Sequence, residues 1–467
     1  MRVFVLSLAL LVTIASGAFA QDGTPERAAT NANQIFLPLV SRTVDLAPTN
    51  NFPVSSATYL GGAGADTASA VDVAPDGTVV FGGALPGANP GGVTPVSLLS
   101  GGNGAVVRLG NNGRSVLSIS RIGGSVNDLE INNSGQIVVC GDFGMAVLNA
   151  TASAVLRNAN PGAGRRCTIA NDGTVAVLVG GSAVVYNSAG TVVGNWAIGG
   201  SAQNDIAIDS ANGSVFATGF TQVSGNLQLP FIRAWSYTGT LKWKSYDWTS
   251  APSLGADTRG EVIAMGRDGK LYMAGTINGG TGVSVFSRDP KNINVVLGSD
   301  RQITTDNYNT PTNVGSVSMS WYGRFNPADG TLEKGQSLLT RLSSGKGNSI
   351  VAEAITADEA GNVYIAGGTA CCIQNRNARQ VAGITVGPYT SGEGFFLAVS
   401  ADFRKRIIWT PFSAPSSSSV SPATGVGARN GVVAVTLNLT QGALITTNAL
   451  QANPSTLPEA YVAVWRP

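Results

Sequence analysis

The sequence predicts an all-β fold: a seven-bladed β-propeller whose N-terminal strand closes the last blade, preceded by a signal peptide and an extended arm. Three observations predict it. Of 467 residues, 60 are glycine and 21 proline, and only 12% are charged, a balance that favours short strands and tight turns. A unit recurs along the chain: an apolar strand, a turn ending in Gly, a second apolar strand, then Gly. The second strand of each unit is apolar at successive positions, as at 79–81, 137–139 and 363–365. Such a strand needs cover on both faces, and stacked blades provide it.

In chain order, Arg2 is followed by an apolar run over 3–14 and by Ala18-Phe19-Ala20. This pattern predicts a signal peptide over 1–20 with Gln21 as the mature start. A run of about twelve residues is too short to cross a bilayer. No Cys lies near residue 20 to carry a lipid, and no later run is long enough to span. The chain is therefore expected to be secreted, without an integral membrane segment.

Residues 21–53 read as a flexible leader and arm. Ile35, Phe36, Leu37, Leu39 and Val40 surround Pro38, which removes a backbone donor and restricts the segment to an edge strand or an extended arm. It packs either on its own domain or on a neighbouring subunit's sheet by strand addition. Self-association by the second route is the expectation carried forward. The segment resembles a Phe-Leu-Pro-Leu-Val stretch that follows the signal peptides of secreted Chloroflexota-type proteins.

The propeller is assigned to 54–467. Its repeat turns end at Gly77, Gly135, Gly173, Gly213, Gly269, Gly361 and, in a degraded copy, Gly431. Asp-Gly, Asn-Gly and Ser-Gly supply the positive φ that a tight hairpin needs. The two shortest spacings are about 40 residues, the length of a four-stranded blade. In the third blade the strands are placed at 166–170, 174–179, 183–186 and 191–196. Extra lengths at 84–103, 220–229, 276–316, 370–392 and 438–458 all join the second strand to the third, so they gather on one face, where a binding surface is expected. The segment 461–465 matches a third strand with no fourth after it. The segment 56–60 matches a fourth strand and is expected to complete the last blade, which removes an exposed edge.

The stretches Thr58-Tyr-Leu-Gly-Gly-Ala-Gly-Ala-Asp66 and Ala70-Val-Asp-Val-Ala-Pro-Asp-Gly-Thr-Val-Val-Phe-Gly-Gly83 resemble the repeat of secreted bacterial propeller proteins. Asn362-Val-Tyr-Ile-Ala-Gly367 and Gly394-Phe-Phe-Leu-Ala-Val399 match its other pieces. The resemblance implies an extracellular bacterial β-propeller. It brings no catalytic residues.

Several chemistries are excluded or narrowed. The chain has no His, hence no His triad, general base or metal ligand. A net charge of +2 gives no footprint for nucleic acid. No cofactor, metal or catalytic residue is assigned.

Four cysteines in an exported chain form a disulfide framework with three possible pairings. Cys140 with Cys167, across adjacent blades, is the favoured one. Cys371 and Cys372 form either a vicinal disulfide or a thiol pair for a metal or another chain. Asp66, Asp128 and Asp205 recur before the first strand of their blades and are read as loop hydrogen-bonding groups. Asn326-Pro-Ala-Asp-Gly330 lacks the last ligand of a calcium loop and reads as a turn. Tyr308, Trp321 and Tyr322 are the candidate sugar platform on the insertion face. The expected function is a non-enzymatic structural or assembly protein outside the cell, polymerising through its arm. A carbohydrate-binding or carbohydrate-active protein, with a surface glycan as partner, is the alternative.

Overall fold

In the computed structural model, the described residues are 50–225, 227–250, 256–279, 284–310, 317–389, 391–414, 421–439 and 442–466. The expected signal peptide over 1–20 and the expected arm residues Ile35, Phe36, Leu37, Leu39 and Val40 lie outside them. The described chain is an all-β propeller. None of its helices is long and apolar enough to cross a membrane.

Ten sheets form among the described residues, more than the seven of the sequence expectation. Seven have four antiparallel strands and are numbered here as blades 1 to 7. Their innermost strands are Thr67–Val73, Val126–Ile131, Arg166–Ile169, Ala202–Asp209, Asp257–Met265, Ile350–Ala357 and Ala423–Arg429. Each inner strand touches the next, and the last touches the first. Blade 3 continues through Val175–Val179, Ser182–Tyr186 and Val192–Ala197, within about one residue of the strands read from sequence. The repeat glycines sit at positive φ in the hairpin between first and second strands, from Gly77 at 81° to Gly431 at 70°.

Burial follows the layered plan. The second strands Val79–Ala84 and Ile137–Gly141 are buried almost throughout. The outer strand Val192–Ala197 alternates between exposed and covered positions. A stacked blade buries both faces of its inner strands, and this supplies most of the apolar stabilisation.

Blade 7 is built from both ends of the described chain. Val54–Tyr59 pairs antiparallel with Glu459–Trp465, with Ala57 opposite Ala463. Ahead of this strand the structure departs from the expected spacer. Asn51–Phe52 pairs in parallel with Gln380–Val381, which pairs with Ile384–Thr385. This eighth sheet of three strands is absent from the sequence expectation. Phe52 drives it: the ring is 1% exposed and packs against Phe396, Phe412 and Trp465 at 5.2, 6.1 and 5.7 Å. The described fold accordingly begins before residue 54, with the pairing of Asn51–Phe52. Two hairpins, Arg288–Asp289 with Asn292–Val296 and Thr340–Arg341 with Gly347–Asn348, complete the set.

Candidate functional site

The inner strands share a local feature that places polar groups around the ring axis. Six of them carry a register shift that leaves one residue extra: Ser69, Asn127, Asn204, Glu261, Glu353 and Thr424. A bulge of this kind re-aims side chains and tightens the local twist. Blade 3, with Arg166–Ile169, has none.

Three bulge residues stitch to the next blade. The Asn127 amide donates to Gly164 O at 2.9 Å, the Asn204 amide to Gly260 O at 2.7 Å, and the Thr424 hydroxyl to Ala68 O at 2.7 Å. Three aspartates bracket blades in the same rotational sense. Asp72 accepts from Ile131 N, Asp128 from Cys167 N and Asp205 from Ile263 N, at 2.9, 3.0 and 2.9 Å. The second oxygen of each accepts from its own following amide. Asp128 and Asp205 therefore sit inside the inner strands, not in the loops before them, because the bulge turns them toward the next blade. Asp66 does sit in the loop, where it accepts from Gly62 N at 2.7 Å.

Two arginines span the ring. Arg267 pairs with Asp72 at 2.7 Å and donates to Ile131 O, while Arg429 donates to Asn132 O and Asn133 Oδ1. Both reach blade 2, Arg267 from blade 5 and Arg429 from blade 7, across blade 1. Arg166 lies between Asp128 and Asp205, its Nε 3.7 Å from Asp205.

Asp72, Asp128, Arg166, Asp205 and Arg267 line a central cavity of about 120 Å³, with Glu130 and Glu353. Burial pushes the Asp128 carboxyl up to about 7, with Arg166 opposing and Asp205 reinforcing the shift. Burial does the same to Glu130, also to about 7, against the pull of Arg267 and the Thr168 hydroxyl. Asp205, Glu261 and Glu353 are raised by the same cause. Carboxyls poised near neutrality are suited to proton exchange. The space is not suited to a sugar chain, since ligand pockets begin at about 300 Å³.

A larger groove of about 640 Å³ opens between blades 6 and 7, lined in part by Ser349, Glu353, Thr369, Ser391 and Glu393. Its Glu393 is committed to structure. It receives two bonds from Arg376, at 2.7 and 2.6 Å, and one from Ser413 at 2.8 Å. Among the described residues, none lining the groove is aromatic.

The proposed sugar platform is not a surface. Trp321 and Tyr322 are 0% and 1% exposed. They lie in the third strand of blade 5, Ser318–Phe325, and the long insertion folds back over that blade. Phe286 from the insertion stacks on Trp321 at 4.4 Å, and Tyr246 meets its edge. Tyr322 packs on Phe403 and donates to Gln336 Oε1. Tyr308 is half-buried, edge-on to Trp409 with the Arg406 guanidinium over its ring.

The cysteines divide. Cys371 and Cys372 are disulfide-bonded in the blade 6 insertion. Cys140 and Cys167 are brought together as expected, but as free buried thiols. Cys167 donates to Asp128 O at 3.5 Å. Burial raises both thiols, Cys167 well above its ordinary value.

Sequence reasoning missed Asp72, Glu130, Arg166, Arg267 and Arg429. The available signal was a charged residue inside or just beyond an otherwise apolar first strand of the repeat. The segment Asn326-Pro-Ala-Asp-Gly330 is a turn, with Asp329 accepting from Thr331 N at 2.8 Å.

No protein-family model matches the chain, and no curated protein is similar to it in sequence. Solved structures with a similar course include U3-55K, at 9% identity and a TM-score of 0.49, covering 88% of this chain and 99% of that one. The WD40 β-propeller domain of Doa1 is 10% identical with a TM-score of 0.45, over 88% of this chain and 96% of that one. Hydrazine synthase from Kuenenia stuttgartiensis is 11% identical with a TM-score of 0.47, over 86% and 99% of the two chains.

Proposed function

We propose that the chain is an exported, non-enzymatic β-propeller that acts outside the cell as a structural and assembly protein, joining copies through its N-terminal arm. The observation that carries this reading is the anchored root of the arm. Gln380 N donates to Asn50 O at 2.7 Å, Arg379 Nη1 donates to Asn50 Oδ1 at 3.0 Å, and Phe52 is buried beneath. From that fixed point the ten residues back to Val40 reach about 30 Å when extended. The edge of blade 7 is already filled by Val54–Tyr59, so the arm is not needed there. Outer strands of other blades, such as Val192–Ala197 with its exposed Val192, offer edges for strand addition. A head-to-tail contact of this kind builds filaments unless its rotation closes a ring.

Commitment of Asp72, Asp128 and Asp205 to bracketing supports a non-enzymatic role, as does a cavity of only about 120 Å³. The glycan alternative loses its aromatic support with Trp321 and Tyr322 buried. The test is a Phe36→Asp, Leu39→Asp double variant of the exported chain, compared with wild type by light scattering and electron microscopy. The wild type should begin at Gln21 and assemble, and the variant should remain a folded monomer. A monomeric wild type, or a variant that assembles normally, refutes the reading.

A further inference from the structure

We propose that Asp128, Cys140 and Cys167 form a binding site for one soft d¹⁰ or borderline divalent cation, of which zinc is the type. The inference is independent of the assembly reading.

The three donors come from two blades and meet by design of the strand pairing. Cys140 lies at the end of the second strand of blade 2, directly opposite Asp128 on the first. Cys167 lies on the first strand of blade 3, its amide held by Asp128 Oδ2. The two sulfurs and a carboxylate oxygen all lie within 4.8 Å of one another. A tetrahedral centre with metal–sulfur bonds of about 2.3 Å needs donors roughly 3.5–3.8 Å apart, so side-chain rotation of about an ångström closes the site. The backbone around it leaves little freedom for other arrangements. Gly164 packs so close that a Cβ there would sit 2.7 Å from Cys140 Cβ. Its amide donates to Gly141 O at 2.8 Å, and its carbonyl accepts from Asn127.

The donor set fits the cation class. Two sulfurs select against calcium and magnesium, which take oxygen ligands. Val138, Val147, Ile169, Val177 and Met145 surround the thiols, giving the dry shell that strengthens metal–thiolate bonding. Asp128 and Cys167 also line the central cavity, which leaves room for a water as fourth ligand. Arg166, beside Asp128 and Asp205, attracts both carboxylates and also the two thiolates. Binding displaces one proton from each thiol to solvent and forms two metal–sulfur bonds, with no change of oxidation state.

The test uses the full chain, purified with reductant, given zinc or cobalt(II) and desalted. Elemental analysis should find one metal per chain. Cobalt should give an intense sulfur-to-metal charge-transfer band, lost in Cys167→Ser and Cys140→Ser. Should the serine variants fail to fold, alkylation of the wild type decides: zinc must protect Cys140 and Cys167, assigned by peptide mass, in mild denaturant. Substoichiometric metal, a cobalt spectrum without the thiolate band, or unprotected thiols overturn the proposal. So does a Cys140–Cys167 disulfide that forms in air despite excess zinc.

Discussion

At Asp72 one carboxylate holds three partners: its own Val73 amide at 2.8 Å, the Ile131 amide of the next blade at 2.9 Å, and Arg267 from across the ring at 2.7 Å. The residue is 6% exposed, so little water can replace them. Asp72→Ala would strand a buried amide and a guanidinium together. The expected cost is about 3 kcal/mol, read from urea unfolding, with Asp72→Asn costing less because it keeps one acceptor. An alanine variant as stable as wild type would show that the ring does not depend on this bracket. Asp66 makes a different case. It is 0% exposed, its Oδ1 has no partner among the described residues, and the fully buried Glu459 lies near. Burial, with Glu459 adding and Arg121 opposing, pushes its carboxyl up to about 6. A carboxyl raised in the folded state favours folding while it is protonated. That contribution is complete below about pH 4 and is lost as pH rises through 6, at a cost of about 2–3 kcal/mol. Asp66→Asn should therefore unfold at higher urea than wild type at pH 7, and the gap should close by about pH 4. A gap that stays constant with pH would sink this account.

Among the elements, the eighth sheet rests on a single aromatic. Only two residues, Asn51–Phe52, pair with the blade 6 insertion, and so short a strand has little pairing energy of its own. Phe52 fills the space between Phe396, Phe412 and Trp465. Phe52→Ala should cost about 3–4 kcal/mol by large-to-small truncation in a core, and protease should then cleave near residue 50 faster. Unchanged cleavage would mean that the arm root is held by its backbone alone. Nothing in the sequence pointed to this element. Phe52 sits between Asn51 and Pro53, where composition reads as a spacer, and its partners lie more than 300 residues away. Hairpins, by contrast, were legible, because Asp76-Gly77 or Asp268-Gly269 between apolar runs admits few other local structures. The channel acids were half legible. Asp128 and Asp205 were noticed for their recurrence, but a one-residue bulge decides whether such a side chain faces a loop or a neighbouring blade, and bulges leave no mark in hydrophobic pattern. Trp321 and Tyr322 were misplaced for a related reason: a strand aromatic is buried or exposed according to what the insertion beside it does. Here Phe286 covers it.

For the molecule as a whole, the decisive contact joins the two ends of the described chain. Every other blade is contiguous in sequence, so local closure suffices to build it. Blade 7 waits for Val54–Tyr59 to reach Glu459–Trp465, across the largest sequence separation in the fold. The seam is reinforced beyond the ladder. Ala57 N bonds the Thr446 hydroxyl at 3.1 Å, Tyr59 OH accepts from Ala443 N at 2.9 Å, and Leu60 N donates to Ala460 O at 2.9 Å. Tyr59 and Tyr461 meet edge to face at 6.0 Å. Without the strand, Glu459–Trp465 becomes an open edge with its ladder groups unpaired, which invites pairing with another chain. A chain starting at residue 63 should therefore lose several kcal/mol of stability and form concentration-dependent oligomers. Adding a synthetic peptide of residues 50–62 in trans should restore the monomer and raise the unfolding midpoint, because the missing strand need not be covalently attached to fill its slot. A peptide with Ala57 and Tyr59 replaced by Asp should fail, since both side chains are buried, at 0% and 3% exposure. If the shortened chain stays monomeric with the wild-type midpoint, closure by the N-terminal strand does not hold the ring. Rescue by the Asp-bearing peptide would instead mean that the slot reads backbone alone.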